Sequence, residues 1–393
     1  EEVDGDLPVW RDEDYYTGGN YTYFRVDVEK LVWVTSRSFS FRDFEDSWWL
    51  PANAHNMMLL GSANLSLRGD KYDNLLIGND GDNYLTGLGG SDILEGRGGD
   101  DSYGIAAGDI VKEIENGGTD HVRSIDSYQL PDHVENLTLS GAGSHTGAGN
   151  DLNNVIKGND YANVLRGFGG ADRLDGGRGA DEMYGGYGND KYHVQSSGDK
   201  VVEAAGAGWD TVFSSVTFTL SSNVEQLVLV GTGAIDGTGN GMGNFITGND
   251  GANVLRGRGG ADTLDGRAGP DKLFGGLGHD SLKGGAGYDG FYFDTPLDPS
   301  ANVDKILAYS PYYDTIFLSR SIFSVLPTGT LAEAAFQVGS SAQDATDRII
   351  YQKSTGSIFY DADGKGGAAA VLFAQVTPET ELTHADFNVY VPG

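Results

Sequence analysis

The sequence predicts an all-β fold in which tandem parallel β-rolls, a form of solenoid, are joined by β-rich spacers and followed by a β-rich C-terminal domain. Two observations lead to this prediction. Three blocks divide into nine-residue rows that begin with glycine, carry Asn or Asp at the sixth position and an apolar or aromatic residue at the eighth. The blocks themselves recur at intervals of 80 to 90 residues. Such self-similarity is typical of solenoids, in which each repeat buries its apolar side against its neighbours.

The clearest block is residues 239–292, which holds six rows in succession. Glycine at the first, second and fourth positions permits positive φ and close approach of the backbone, so the first six residues of a row are expected to form a tight turn. The last three residues are expected to form a short strand whose eighth side chain points inward. A flexible glycine-rich linker is the alternative, but a linker has no reason to keep an apolar residue at every ninth position. The sixth positions are Asn244, Asn253, Asp262, Asp271, Asp280 and Asp289, and the eighth are Ile246, Leu255, Leu264, Leu273, Leu282 and Phe291.

The spacing of the acids predicts metal sites. Two rows make one coil of 18 residues, so Asp262 is expected to stack on Asp280, and Asp271 on Asp289, at roughly 4.8 Å per coil. Two carboxylates from neighbouring coils, together with turn carbonyl groups, form an all-oxygen site for a hard cation. Ca²⁺ fits such a site better than Mg²⁺, which requires rigid octahedral geometry and retains its waters. The sequence therefore predicts several calcium ions as cofactors.

Candidate calcium ligands occur in all three blocks. The first two rows of each block carry Asn at the sixth position, and because Asn supplies one neutral oxygen, calcium is expected to bind more weakly at these entry edges. The sixth-position candidates of the first two blocks are Asn74, Asn83, Asp92, Asp101, Asn154, Asn163, Asp172, Asp181 and Asp190. Further candidate ligands in the turns are Asp80, Asp82, Asp160 and Asp250. The fourth-position glycines included in the predicted sites are Gly90, Gly99, Gly170, Gly179, Gly188, Gly260, Gly269, Gly278 and Gly287.

The nonapeptide G-G-x-G-x-D-x-U-x, in which U is a large apolar residue, resembles the repeat of the RTX, or hemolysin-type, calcium-binding proteins. The resemblance implies a parallel β-roll that binds calcium through its turns. It also implies a secreted bacterial protein that leaves the cell as an unfolded chain through a type I secretion channel. The expected location is therefore extracellular or on the cell surface.

Composition narrows the possible partners. The net charge is −31, from 57 acidic and 26 basic residues, which argues against nucleic acid or an anionic membrane as the partner. The absence of cysteine excludes disulfides and thiolate metal sites. No apolar run is long enough to predict a membrane span. The first ten residues begin without Met and do not resemble a signal peptide, so the chain is expected to be processed or part of a longer one.

Residues 1–50 are rich in aromatic side chains, and alternation in Tyr21–Val28 and Leu31–Phe41 predicts strands. We expect an N-terminal cap over the open end of the solenoid, or the end of an upstream module, because terminal units of solenoids are atypical. The alternative is an aromatic surface that binds sugars or another subunit, with Trp48 and Trp49 at its centre.

The larger repeat predicts the remaining divisions: a first module at 51–103, a second spacer and module at 104–193, and a third at 194–292. The two later spacers align, with eight positions recurring 90 residues apart, and are expected to form further coils or sheet layers. Their acids are expected on the surface, because exposed acids are usually solvated. The aligned residues are Asp109, Glu113, Asp120, Leu130, Val134, Glu135, Leu137 and Leu139, with counterparts Asp199, Glu203, Asp210, Leu220, Val224, Glu225, Leu227 and Leu229.

Residues 293–393 resemble the segment that follows the repeats in serralysin-type proteases and other RTX exoproteins. The resemblance implies a β-rich domain and an uncleaved type I secretion signal near the end of the chain. Residues 349–376 are expected to form paired hairpins. Asp361-Ala362-Asp363-Gly364 matches the start of an EF-hand loop, but Leu372 stands where that loop needs Glu, so a hairpin turn is expected.

No catalytic motif is present in this chain: neither H-E-x-x-H nor G-x-S-x-G occurs, and the seven histidines are scattered. We therefore expect a non-enzymatic, secreted calcium-binding protein that folds on extracellular calcium and assembles into a matrix, surface layer, filament or adhesin. Its expected partners are calcium, the type I secretion machinery and either further copies of itself or a surface polysaccharide. One alternative is the folding and secretion portion of an RTX protease, lipase or polysaccharide-modifying enzyme with its catalytic domain upstream. A second alternative is a carbohydrate-binding module.

Overall fold

The computed structural model describes residues 56–59 and 61–392, together with the backbone of three short strands, Arg25–Asp27, Lys30–Val32 and Ser47–Trp49. The aromatic cap or surface predicted for residues 1–50, including the side chains of Trp48 and Trp49, lies outside the described residues. The chain forms two compact units, Glu1–Tyr187 and Gly188–Gly393. The five-part division expected from the sequence remains a prediction.

The first unit is a parallel β-solenoid, and its strands pair with strands one coil away rather than with their neighbours in sequence. Apart from Arg25–Asp27 and Lys30–Val32, which pair antiparallel, the pairs are parallel. One sheet contains, in order, Lys30–Val32, Arg25–Asp27, Asn56–Leu59, Leu75–Ile77, Ile93–Glu95 and Ile110–Lys112. A second contains Ser47–Trp49, Ser66–Arg68, Tyr84–Thr86, Ser102–Ile105, His121–Ser124, Asn136–Leu139, Val155–Lys157 and Arg173–Asp175. A third contains Tyr128–Gln129, Thr146–Ala148, Val164–Gly169 and Glu182–Tyr187.

The second unit has the same solenoid construction and ends in antiparallel strands. Lys200–Val202 is a further strand of this unit. One sheet contains, in order, Lys191–Val194, Thr211–Ser214, Gln226–Leu229, Phe245–Thr247, Thr263–Asp265, Ser281–Lys283, Asp304–Leu307, Val371–Gln375, Ser357–Tyr360, Ile349–Gln352 and Phe336–Val338. The other contains Phe218–Thr219, Gly237–Thr238, Val254–Gly259, Lys272–Leu277, Gly290–Phe293, Thr315–Ser319, Phe387–Tyr390 and Gly329–Thr330.

The strand register confirms that two rows make one coil. Leu264 pairs with Ile246 on one side and with Leu282 on the other, each 18 residues away. In the first unit Leu94 pairs with Leu76 at the same separation. These eighth-position side chains are almost completely buried, so they form apolar ladders through the interior of the coils. Short strands suffice because each one inside a sheet is paired on both sides.

The spacers are coils of the same solenoids with less regular lengths, as the sequence predicted. Val122 pairs with Tyr103 and with Leu137, at separations of 19 and 15 residues. The prediction that their acids lie on the surface is wrong. Asp120 and Asp210 are completely buried. Each precedes an inward-facing valine by two residues, which is the spacing between the sixth-position Asp and the eighth-position apolar residue of a nonapeptide row.

The C-terminal segment continues the solenoid before it turns antiparallel. Asp304–Leu307 pairs with Ser281–Lys283, and the predicted hairpins are confirmed by the antiparallel pairing of Ile349–Gln352 with Ser357–Tyr360 and of Ser357–Tyr360 with Val371–Gln375. The Asp361 Oδ1 accepts the Gly364 amide at 2.8 Å, which closes the expected turn. The helices in the described part of the chain are two 3₁₀ turns, Glu333–Ala335 and His384–Asp386, and none there is long and apolar enough to cross a membrane.

Candidate metal centre

The turn that precedes each strand has one shape wherever the sixth residue is Asp. The fourth-position glycine then has positive φ, as expected, in all nine such rows, with Gly260 at +103° as an example. The second position is also left-handed, even where it is Leu88, Phe168 or Arg258. Two left-handed residues so close together bend the backbone sharply and turn several carbonyl groups toward the neighbouring coil.

The first glycine of a row shows the close backbone approach that was predicted, but not the positive φ. Its φ is not positive at Gly257 or Gly266, so the expectation of left-handed backbone at this position is wrong. A Cβ atom at Gly266 would instead collide with the Asp271 carboxylate of its own row and lie 2.5 Å from the carbonyl oxygen of Gly284, one coil later. Glycine is required here because carboxylate and carbonyl oxygens converge on its Cα.

The sixth-position acids form continuous ladders, as their spacing predicted. One oxygen of each carboxylate accepts the main-chain amide of the sixth residue one coil earlier. Asp262 Oδ1 accepts the Asn244 amide at 2.7 Å, and Asp280 Oδ1 accepts the Asp262 amide at 2.8 Å. Asp271 and Asp289 are linked in the same way at 2.9 Å. The hydrogen bond fixes each carboxylate in one orientation, with its second oxygen directed into the turn.

That second oxygen is buried and receives no hydrogen bond in Asp92, Asp101, Asp262, Asp271, Asp280 and Asp289. A buried carboxylate oxygen without a donor is costly, because it has lost its hydration and gained nothing in exchange. Main-chain carbonyl oxygens lie beside it, as at Gly266, so the available donor set consists of oxygen alone. This set fits Ca²⁺, a hard cation that accepts carboxylate and carbonyl ligands in flexible geometry.

Burial raises the pKa values of the ladder carboxyl groups in the absence of a cation. It raises the pKa of Asp262 to about 7 and that of Asp271 to about 7, against an ordinary value of 3.8, and the neighbouring carboxylates Asp280 and Asp289 add to the effect. In the first unit burial raises the pKa of Asp101 to about 8. The hydrogen bonds from main-chain amides lower these pKa values, but by less than burial raises them. A bound divalent cation supplies the positive charge that these groups lack.

The entry rows, whose sixth residues are Asn74, Asn83, Asn154, Asn163, Asn244 and Asn253, are built differently. In these rows no fourth residue within the described chain has positive φ. Asn244 Oδ1 accepts the Asn240 amide at 2.8 Å, while its Nδ2 donates to the carbonyl oxygen of Val224 at 3.0 Å. Asn154 makes the equivalent bonds to Asn150 and Val134. Because the side-chain oxygen already accepts a main-chain amide, and in Asn154 and Asn244 the nitrogen is also hydrogen-bonded, we continue to expect weaker calcium binding here.

The four turn acids predicted as additional ligands, Asp80, Asp82, Asp160 and Asp250, all lie on exposed turns. Asp82 accepts hydrogen bonds from the Asn64 side chain and the Asp100 amide, both at 2.9 Å. The structure does not bring these acids into the buried ladders, and their role as ligands stays a prediction.

Sequence reasoning missed the spacer and C-terminal acids that extend the ladders. Asp120 Oδ1 accepts the Asp101 amide at 2.8 Å, and Glu135 Oε2 accepts the Asp120 amide at 2.7 Å. In the second unit Asp304 and Asp314 accept the amides of Asp280 and Asp289. The signal that marks them is acid-x-apolar, as in Asp120-His121-Val122, which repeats the end of the nonapeptide without its glycines.

Substitution of a first-position glycine is expected to disrupt its turn. Gly266→Ala should destabilise the calcium-bound protein by about 1–3 kcal/mol, because the new methyl group displaces the Asp271 carboxylate and the Gly284 carbonyl. Gly241→Ala is the matched control, since nothing lies within 4 Å of the added methyl group. Thermal unfolding in millimolar calcium measures the difference, and equal stability of the two variants would contradict the proposed crowding.

Comparison with known proteins agrees with this description of the turns. The model of the RTX calcium-binding nonapeptide repeat matches residues 68–103, 148–183, 167–195, 238–273 and 259–291. No curated protein matches the chain at a significant level.

The solved structures similar to this chain include a repeat subunit of an epimerase and a lipase. The AlgE6R3 subunit of the mannuronan C5-epimerase from Azotobacter vinelandii is 25% identical, with 40% of this chain and 80% of that chain covered and a TM-score of 0.26. The extracellular lipase LipA from Serratia marcescens is 17% identical, with 69% of this chain covered and a TM-score of 0.24. The match spans 45% of the length of the lipase chain.

Proposed function

We propose that this RTX calcium-binding repeat protein is a secreted structural or surface protein that stays unfolded without calcium and becomes a rigid solenoid on reaching extracellular calcium. The observation that supports this proposal most strongly is the set of buried ladder carboxylates whose second oxygens lack a donor. In the absence of metal, these carboxylates repel one another across neighbouring coils. Folding is therefore linked to calcium binding.

The proposed ligands are the sixth-position aspartates with the carbonyl groups of the glycine turns, while the asparagine rows and exposed turn acids contribute less. Calcium supplies positive charge between coils, and the carboxylates, held by their amide hydrogen bonds, are already oriented to receive it. A site of this type in an extracellular module has a Kd of roughly 0.1–1 mM. Cytosolic calcium is far below this range, so the chain would remain unfolded for export through a type I channel and fold outside the cell.

Exposed aromatic side chains in the second unit support a further step, assembly with other copies of the chain. Tyr288, Tyr312 and Tyr313 form a cluster in which the ring centroids of neighbouring tyrosines lie 5.4 and 4.8 Å apart. Tyr312 is 81% exposed and Tyr288 is 68% exposed. Clustered exposed aromatic groups favour contact with another protein surface. This is the chemistry expected of a matrix, surface-layer, filament or adhesin component.

A calcium titration followed by circular dichroism and light scattering tests assembly. We expect folding and growth in particle size at millimolar calcium, with growth reduced in the variant Tyr288→Ser/Tyr312→Ser/Tyr313→Ser. Tyr161→Ser, which changes an exposed tyrosine of the first unit, is the control and should assemble as the unaltered chain does. Folding without any growth in size would contradict assembly and favour the alternative of a folding and secretion portion of an exoenzyme.

A further inference from the structure

A group of three carboxylates lies where the first block of nonapeptide rows passes into the spacer. Asp101 is the sixth residue of the last row, whereas Glu113 and Asp120 come from the spacer that follows. One oxygen from each of the three lies within 4.8 Å of the others. The repeat match ends at residue 103, so two of the three acids are outside the nonapeptide pattern.

Hydrogen bonds hold the three side chains in place, and in Asp101 and Asp120 they leave one carboxylate oxygen without a donor. Asp101 Oδ1 accepts the Asn83 amide at 2.6 Å, and Asp120 Oδ1 accepts the Asp101 amide at 2.8 Å. The Tyr103 hydroxyl donates to Glu113 Oε1, which orients the third carboxylate. Asp101 and Asp120 are 1% and 0% exposed, and the Oδ2 atom of each is buried without a hydrogen-bond partner.

Oxygen atoms of Asp101, Glu113 and Tyr103 converge on the Cα atom of Gly96. A side chain at this position would collide at once with Asp101 Oδ2, Glu113 Oε1 and the Tyr103 hydroxyl. Among the described residues, no Lys or Arg forms an ion pair with any of the three acids. Asp101 and Asp120 are buried and Glu113 is half-buried. Without a cationic partner the three carboxylates repel one another and have lost much of their hydration, so the arrangement calls for a bound cation.

The same arrangement is built a second time, in the second unit. Asp190, Glu203 and Asp210 also place one oxygen each within 4.8 Å of the others, and all three are buried. The Tyr192 hydroxyl donates to Glu203 Oε1, as Tyr103 does to Glu113. Asp210 Oδ1 accepts the Asp190 amide at 2.8 Å, while its Oδ2 is buried without a partner. Two Asp residues, one Glu and one orienting Tyr occur in both units, which indicates a binding site and not a chance cluster of acids.

We propose that each group, Asp101–Glu113–Asp120 and Asp190–Glu203–Asp210, binds one divalent hard cation, calcium under extracellular conditions, in a site distinct from those of the regular rows. The proposal rests on the proposed calcium-dependent folding but assigns additional ligands to it. A regular pair of rows offers two carboxylates, and here the spacer Glu adds a third. Because affinity for Ca²⁺ rises with the number of charged ligands, these two sites fill before the others. As the calcium concentration rises, the ion bound at each of these sites is therefore the first to link a repeat block to the spacer that follows it.

The test is a count of bound ions in the full chain carrying Glu113→Gln and Glu203→Gln. Equilibrium dialysis with calcium alone, followed by elemental analysis, is expected to show two fewer ions per chain at low free calcium. The affinity of the tightest class of sites should fall at least about tenfold. Glu115→Gln, a change of an exposed acid in the same spacer, is the control and should leave both quantities unchanged.

The possible results separate this inference from the function on which it rests. Folding of the unaltered chain in calcium, with an unchanged ion count and affinity in the variant, overturns the inference alone. Failure of the unaltered chain to bind calcium overturns both. Should the variant not fold, crystals of the unaltered chain grown in calcium decide the question by anomalous scattering. A peak between the three carboxylates is expected, and peaks in the regular rows without one here overturn the inference.

Discussion

Removal of calcium from the full chain is expected to abolish most of its far-ultraviolet β-sheet signal, and addition of millimolar calcium is expected to restore it. The reason is the accumulation of like charge along each ladder. Asp262 and Asp280 lie on successive coils, joined through a main-chain amide, and each has a buried oxygen that no protein donor reaches. Without metal, folding would bury this oxygen in every aspartate row at once.

The expected effect is large because many sites act together. A site whose ligand is present at tenfold its Kd contributes roughly 1.4 kcal/mol to the stability of the folded state. About ten such sites would contribute on the order of 14 kcal/mol, which equals the stability of an ordinary domain. Without calcium, burial of the apolar ladders alone would have to offset the backbone conformational entropy that is lost on folding. This loss is unusually large for a glycine-rich chain.

Hydrogen exchange and circular dichroism in calcium and in excess EGTA measure this effect. The main-chain amides that donate to ladder carboxylates, such as those of Asn244 and Asp262, should be protected in calcium and exchange rapidly in EGTA. Magnesium at the same concentration is the control, and it should restore little structure because it retains its waters and requires octahedral geometry. A chain that kept its β-structure in excess EGTA would contradict calcium-dependent folding.

The regular part of this molecule could be predicted because a single nine-residue pattern determines both the turn and the inward residue. The pairing of Leu264 with Leu282 and the stacking of Asp262 on Asp280 both follow from a coil of 18 residues. The fourth-position glycines were predictable for the same reason, since a left-handed residue is needed at one fixed point of every coil.

The remaining features depend on contacts between coils, which the pattern does not encode. Close backbone approach at the first glycine was predicted, but not the atom that approaches it, which for Gly266 is the carbonyl oxygen of Gly284 one coil later. The spacer acids Glu113 and Asp120 have no glycine turn around them, and acid-x-apolar is too short a pattern to distinguish a buried acid from a solvated one. Only the paired strands on either side show that these residues occupy ladder positions.

In the absence of metal, acidification from pH 7.5 to pH 5 is expected to increase the folded fraction of the chain. Burial raises the pKa of Asp262 and of Asp271 to about 7 in the folded state, whereas the ordinary value is 3.8. Between about pH 4 and pH 7 the folded chain therefore holds more protons than the unfolded chain, and its stability falls as the pH rises.

With calcium bound, the direction of the pH effect is expected to reverse, because protons then compete with the cation for the same oxygens. Between pH 5 and pH 7.5, far-ultraviolet circular dichroism in buffers freed of metal by a chelating resin measures the folded fraction, and denaturant unfolding in millimolar calcium measures the stability of the calcium-bound chain. The variant Asp262→Asn/Asp271→Asn provides the control, since neutral side chains of the same shape should flatten the metal-free slope. Metal-free stability that rises with pH would mean that the ladder carboxylates are solvated and that their burial does not impose the requirement for calcium.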